Sequence, residues 1–336
     1  MITEPQSMST TDHFGLDHGY VFAASGVGHE IGAGTALDWL KRADTTSGEF
    51  LWLHFHDVPT VLEGWPEQLA ELSGEFGDTL REGSRSTRIT HVHQDIIAVV
   101  NDVDYDFERK KGLAVATVWL SVGARCLLSV RSGPLRSVSR LRQMVEAGES
   151  FHSPMMILTH LLREQADVLF GIVRSAAQTA NDVEEALLAD RLPTRAGLGG
   201  VRRDLVRVRR LLAPEPAALF RLVNRPPHWL REDDTQSLRQ CAEEFSLALR
   251  DMAGLQERIK LLEEEIADKV AEHTNHSVLI LTAVTVIALP INLISGLLGM
   301  NVGGLPMRYW AHGFWIVLLI SVCLTSLAAW FIFRRR

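Results

Sequence analysis

Polar and apolar positions divide the chain into an alternating first part, a strongly helical middle and two uncharged runs near the end. Apolar, β-branched segments at Tyr20–Ala24, Phe50–Phe55, Ile96–Val100, Leu113–Val122 and Cys126–Val130 predict strands. Between them, Thr35–Lys41 and Glu67–Phe76 carry helical spacing. Residues 1–150 therefore predict an α/β domain. After Pro154 the period lengthens, predicting helices over Met155–Asp190 and Val201–Val223, separated by the Pro193–Gly200 break and closed by Pro226–Pro227. From Thr235 to Leu289 there is no proline and one glycine, Gly254, so one helix is expected to run through residues 235–289 without a break. Its last part enters Val278–Leu298, 21 residues without a charge, and Phe314–Phe333 supplies 20 more. Each run matches the roughly 20 residues needed to cross a hydrocarbon core. The expected organisation is a cytoplasmic α/β domain (1–150), a helical funnel with its stalk (151–276) and a transmembrane domain (277–336) with spans at 278–299 and 314–333.

Charge orients that plan. Arg334, Arg335 and Arg336 follow the second span, whereas the connection between the spans holds only Arg308 as a fixed positive charge. The positive-inside rule then places both termini in the cytoplasm of a multi-pass inner-membrane protein. Met1–Thr10 lacks a basic segment followed by an apolar one, so no cleavable signal is expected. Trp310, Trp315 and Trp330 fall where interfacial aromatic residues belong. Three widely spaced cysteines, Cys126, Cys241 and Cys323, without a CxxC pair, suit a reducing compartment and exclude a Cys-rich metal site. Between Arg231 and His276 twelve acidic residues face six basic ones, nearly the whole net charge of −7. The preceding helix is basic through Arg202, Arg203, Arg207, Arg209 and Arg210. Without a nucleic-acid-binding signature, pairing with the acidic helix or a solvated face explains that run better than a nucleic-acid partner.

Polar groups inside the first span share one stripe. On a heptad seam, Asn275, Thr282, Leu289 and Gly296 occupy one position, and Val278, Thr285, Asn292 and Gly299 the position three residues on. Several copies around an axis would turn that stripe into a pore with amide and hydroxyl rings; helix–helix adhesion through Thr, Asn and small residues is the competing reading. Extended toward the cytoplasm, the seam adds carboxylates at Glu257, Glu264 and Asp268. His273 and His276 at the inner mouth, and His312 at the outer one, are candidate Zn²⁺ contacts. No acidic, basic or histidine residue lies within either span, which disfavours an intramembrane proton relay and leaves any proton coupling to the mouths.

Two further histidine pairs, His54/His56 and His91/His93, alternate on strand-like segments, and each pair would project from one sheet face toward a regulatory metal if a third ligand came from elsewhere. Gly26-Val27-Gly28-His29-Glu30-Ile31-Gly32 has the wrong spacing for a dinucleotide loop and reads as a turn. No nucleophile with base and orienter, Walker loop or paired catalytic carboxylates is present, so no enzyme and no resident cofactor is expected.

The first span closes on Gly299-Met300-Asn301-Val302-Gly303-Gly304. This resembles the Gly-Met-Asn signature of the CorA superfamily of divalent-cation transporters, and the continuation is most similar to its ZntB zinc-transporter branch. The resemblance implies a homopentamer with a cytoplasmic funnel, the first span lining the pore and the second facing lipid. It places Gly299, Met300 and Asn301 at the outer mouth as the selectivity motif, with the Asn301 carbonyl on a hydrated cation. One departure stands out: Val302–His312 holds no acid, whereas magnesium channels of this superfamily usually carry one there. The expectation is Zn²⁺ transport along the axis of a lipid-embedded pentamer. A Mg²⁺/Co²⁺ channel of the same architecture, and a membrane-tethered sensor or scaffold, are the alternatives.

Overall fold

A computed structural model describes residues 15–42, 48–64, 74–106, 111–133, 135–192, 196–300 and 312–334. The chain forms two compact units, one of residues 1–185 and 194–261 and one of residues 186–193 and 262–336.

The first unit is built on a seven-stranded sheet. Its strands are β1 (Leu16–Phe22), β2 (Gly28–Glu30), β3 (Phe50–Phe55), β4 (Arg88–Val92), β5 (Asp95–Asp106), β6 (Lys111–Val122) and β7 (Cys126–Arg131). The order is β2-β1-β3-β7-β6-β5-β4, antiparallel throughout except for the parallel β3–β7 pair at its centre. Every residue of β3 is buried, because both faces of the sheet are covered. On one face Leu51, Leu53, Phe55, Val99, Trp119 and Val130 pack with residues of helices α1 (Ala33–Leu40) and α3 (Gly74–Glu82), which follows the short α2 (Val58–Gly64). On the other, Phe22 stacks on Phe50 at 4.4 Å between ring centroids and meets the edge of Phe151. Helix α4 (Arg136–Glu146) buries Val138, Leu141 and Val145. Its start is tied to β5, since Asp102 accepts hydrogen bonds from the Ser137 backbone N–H (3.0 Å) and hydroxyl (2.9 Å).

Several expectations shift. The first strand lies at Leu16–Phe22 rather than Tyr20–Ala24, because the turn begins at Ala23: Gly26 (φ +86°) donates to the Ala23 carbonyl and Phe22 pairs with Gly28. Only the start of the glycine-rich segment is the expected turn: Gly28–Glu30 form β2, and Gly32 caps α1, which opens directly at Ala33. Residues 65–73, and with them most of the helix expected over Glu67–Phe76, lie outside the described residues; α3 starts at Gly74 and continues to Glu82. The helix expected over Val201–Val223 is two, α6 (Ala196–Leu212) and α7 (Pro214–Asn224), because Pro214 has no N–H to continue the ladder and sits well in a first helical turn.

Helix α5 (Pro154–Leu188) and helix α8 (Glu232–Leu298) dominate the rest. At 1.5 Å per residue, the 67 residues of α8 span about 100 Å. Within the first unit its inner stripe, Leu238, Cys241, Phe245, Ala248, Met252, Leu255 and Ile259, is buried at alternating three- and four-residue spacing. Bonded partners on α5 and α8 stay 74 to 82 residues apart, from Arg163–Gln240 and Thr159–Cys241 to Asn181–Arg258 and Glu184–Arg258, so the two helices run parallel. Ser153 caps the start of α5 and donates to Asp234 at the start of α8, which sets their relative register.

In the second unit the remainder of α8 is accompanied by α9 (Gly313–Arg334). Lys269 of α8 donates to the Leu187 carbonyl and to Asp190, both at 2.9 Å, and the same ammonium lowers the Asp190 pKa.

Candidate functional site along the long helix

The last third of α8 is where apolar composition and exposure disagree with the rules for a water-soluble chain. Leu279, Ile280, Leu281, Val284 and Leu293 are all exposed. Among the described residues, α8 is the helix long and apolar enough to cross a membrane, and none of its most apolar window is buried within the chain. Helix α9 adds a shorter described apolar stretch, Gly313–Leu327. Trp315 is exposed near its start and Trp330 near its end, where the Arg334 guanidinium lies 4.6 Å over the Trp330 ring.

The two faces of α8 differ. Ala283, Ile287, Pro290 and Ile294 are half-covered. Asn275, Val278, Thr282, Thr285, Leu289, Asn292, Gly296 and Gly299 are all exposed. At 100° per residue the centres of the two sets lie about 150° apart around the helix. Ala288 is half-covered too, and Ile280, Val284 and Ile291 are exposed, so a single copy covers part of the side away from the polar stripe and leaves the stripe open. Thr285 donates its hydroxyl proton to the Leu281 carbonyl at 2.8 Å, so its oxygen offers only lone pairs outward. A ring of such oxygens would act as acceptors toward a cation.

The helix ends where the sequence motif begins. Gly299 donates to the Ser295 carbonyl at 2.9 Å, and a Cβ at position 299 would also come within 2.9 Å of that oxygen, so the residue has to be glycine for the helix to close as it does. Met300 is exposed, whereas Asn301 and the loop through residue 311 lie outside the described residues. His312 is exposed and its carbonyl accepts the Trp315 and Ile316 N–H groups, which places it at the entry to α9.

Toward the first unit the heptad register continues through Glu257, Glu264 and Asp268, all exposed, and His273 and His276 are exposed beyond them. Two residues missed by sequence reasoning occupy the same register. Leu247 (49% exposed) and Leu261 (63%) sit 21 and 7 residues before Asp268, uncovered on a stretch of helix that buries Leu238, Leu255 and Leu262. The signal was present as a seven-residue spacing, but it points the same way as the acidic residues and was hidden among them.

Among the described residues no group of three or more His, Cys, Asp or Glu side chains is placed to hold a metal ion within one chain. Glu264, Asp268, His273, His276 and His312 therefore do not form a ready-made site on their own. The two histidine pairs of the α/β domain also separate. His93 lies in the two-residue turn between β4 and β5 at φ +53°, so it does not share a sheet face with His91. His54 is buried in β3, its Nδ1 2.8 Å from the Ser129 hydroxyl, whereas His56 follows the strand and uses its Nδ1 on the Gly15 carbonyl at 3.0 Å. Burial holds the His54 imidazole neutral, with its pKa pushed down to about 3.

Comparison with known proteins places this geometry. Residues 47–335 match the family described as CorA-like Mg2+ transporter protein. The chain is 26% identical over 333 residues to the divalent cation transporter CmaX of Pseudomonas aeruginosa, covering 98% of each chain. It is 22% identical over 285 residues to the zinc transport protein ZntB of Yersinia pseudotuberculosis, covering 85% of this chain and 87% of that one. The structure of full-length CmaX superposes with a TM-score of 0.79 at 27% identity, over 97% of this chain and 99% of that chain. With its α/β domain, its long helix and its C-terminal helix all accounted for, the chain belongs to the CorA-like family of divalent-cation transporters.

Proposed function

We propose that copies of this chain assemble as a homopentamer around the seam of α8 and carry divalent cations, Zn²⁺ foremost, along the axis through the inner membrane. The observation that carries the reading is the open polar stripe: Asn275, Thr282, Thr285 and Asn292 are exposed on the side of α8 opposite its half-covered face. Amide and hydroxyl groups facing hydrocarbon leave hydrogen bonds unmade, whereas facing an axis they line a water-filled path. Val278 and Leu289 interrupt that path with apolar rings, and Gly299, Met300 and Asn301 form its outer mouth. Neutral oxygens suit an ion that keeps part of its water, because they hold the hydration shell without trapping the ion. Both termini then lie in the cytoplasm, α9 faces lipid, and Glu264, Asp268, His273 and His276 meet the ion at the inner mouth as rings supplied by several copies.

The preference for zinc rests on ligand chemistry and on one relative. His273, His276 and His312 offer imidazole, which suits Zn²⁺ better than Mg²⁺, and the stretch from Val302 to His312 contains no acid. The likeness to a zinc transport protein agrees. The magnesium description of the matching family favours the second reading, a Mg²⁺ channel on the same frame. Flux into proteoliposomes with Zn²⁺ and Mg²⁺ at matched concentrations separates them: faster Zn²⁺ entry is expected, and equal or faster Mg²⁺ entry moves the assignment to the second reading. No flux of either ion would leave the spans as anchors of a sensor or scaffold.

A further inference from the structure

The α/β unit contains a polar cleft that the transport reading leaves unused. It measures about 330 Å³ and lies between the sheet and helix α4, with Asp17, His18, His54, Arg131, Arg142 and Glu146 among its lining side chains. The strand register brings them together: His18 of β1 pairs with His54 of β3, and His54 with Ser129 of β7, so they share one face, toward which α4 contributes Arg142 and Glu146. A wall of charged and imidazole groups of this size suits a small polar molecule rather than an apolar one.

Proton positions define what is missing. The Ser129 hydroxyl donates to the Leu53 carbonyl (3.2 Å) and accepts from the Trp52 indole N–H (3.0 Å). With that proton kept on the Leu53 carbonyl, the remaining contact, at 2.8 Å, has His54 Nδ1 as the donor. The other ring nitrogen, Nε2, is left as a bare lone pair on a side chain only 1% exposed, without a hydrogen-bond partner. A ring nitrogen buried and unpaired in this way is unfavourable until a partner reaches it. His18 is already satisfied, since its Nε2 lies 2.9 Å from Arg142 Nη1 and accepts from it.

Two guanidinium groups of the lining offer anchors for an anion, although Asp17 and Glu146 line the same cleft. Arg131 pairs with Asp17 at 2.7 Å, and Arg142 with Glu146 at 2.6 Å. Each guanidinium carries five N–H groups, more than those partners accept. Two guanidinium groups and no three-ligand cluster among the described residues argue against a metal ion in the same place. We propose that the cleft binds a small organic anion bearing a hydroxyl or amino group, its carboxylate or phosphate on Arg131 and Arg142 and its O–H or N–H donating to His54 Nε2. The site is independent of the ion path and its test uses no flux measurement.

The full-length protein in detergent is titrated calorimetrically with glycerol 3-phosphate and propyl phosphate, with glycerate and propionate, and with inorganic phosphate. The hydroxylated member of a pair is expected to bind roughly fivefold more tightly than its counterpart, the value of one hydrogen bond. Whichever pair binds more tightly identifies phosphate or carboxylate as the anionic group. Arg142→Gln should weaken binding of both members of that pair at least about tenfold, the loss of a charge-assisted bond. His54→Phe should abolish the hydroxyl preference, so that the two members of a pair bind equally. Because His54→Phe can fail to fold, magic-angle-spinning ¹⁵N spectra of histidine-labelled wild-type protein provide a second reading: the His54 Nε2 resonance should move on addition of glycerol 3-phosphate or glycerate. Absence of binding up to about 10 mM, inorganic phosphate binding as tightly as the hydroxylated anions, or an unmoved Nε2 resonance at saturation overturns the proposal.

Discussion

Leu261→Ala tests whether the seam of α8 is a contact between copies. Leu261 is 63% exposed in one chain, although it lies on a helix that buries Leu255, Ile259 and Leu262 on its inner face. Full burial of a leucine side chain is worth about 1.5–3 kcal/mol, so covering the exposed fraction in an assembly supplies about 1–2 kcal/mol per copy. Most of that is lost with alanine, whose helix propensity is as good, so α8 itself is not weakened. The dissociation constant per copy should rise roughly 5- to 30-fold. Mass photometry of the protein diluted in mild detergent reads the shift directly. Leu188→Ala serves as the comparison, because Leu188 is 83% exposed at the end of α5 and off the α8 seam. Equal dissociation of wild type and Leu261→Ala, or an equal loss with Leu188→Ala, would refute the reasoning. A wild-type protein that stays monomeric while transporting would remove its premise.

Gly299→Ala should reduce cation flux severalfold at unchanged oligomer size, because the added Cβ lies 2.9 Å from the Ser295 carbonyl and accommodating it costs about 1–3 kcal/mol of strain at the end of the helix; wild-type flux would show that the helix end tolerates the methyl. Stability should fall in acid through His54. Its folded pKa of about 3 lies below the usual 6.5, so the unfolded chain takes up the proton first, and stability present above 6.5 is lost as pH falls toward 3. The loss between pH 7 and pH 5 is about 2 kcal/mol, and denaturant titrations of His54→Gln should give a flatter pH dependence; an unchanged slope would place the acid sensitivity elsewhere.

Much of this organisation was legible because it depends on one-dimensional periods. Absence of proline from Thr235 to Leu289 gives α8 its length, and the seven-residue repeat from Asn275 to Gly296 gives the stripe its direction. The face opposite could not be read from the repeat, since Ala283, Ile287, Pro290 and Ile294 look like any other apolar residues until their exposure is known. The sheet was legible strand by strand but not in order. Pairing of β3 with β7 joins His54 to Ser129 across 75 residues, and no local pattern encodes that distance. The same pairing explains why the histidine pairs misled: alternation predicts a shared face, but His56 lies past the end of β3 and His93 sits in a turn. Leu247 and Leu261 show the reverse problem, a correct period whose meaning depends on which side of α8 the first unit buries.

The central claim, that ions pass along the stripe of α8, is tested most directly by thiol block of flux. Cys126 and Cys241 are buried, which pushes their thiols up to about 12 and about 11 and leaves them unreactive, so replacing the exposed Cys323 with serine gives a silent background. Thr285→Cys and Ile287→Cys are then compared in proteoliposomes before and after a charged, water-soluble methanethiosulfonate. Thr285 lies on the exposed stripe and Ile287 on the half-covered face. Divalent-cation flux should be lost on treatment of the Thr285 variant and persist in the Ile287 variant. Equal block at both positions, or persistent flux through a fully labelled Thr285→Cys protein, would contradict the account.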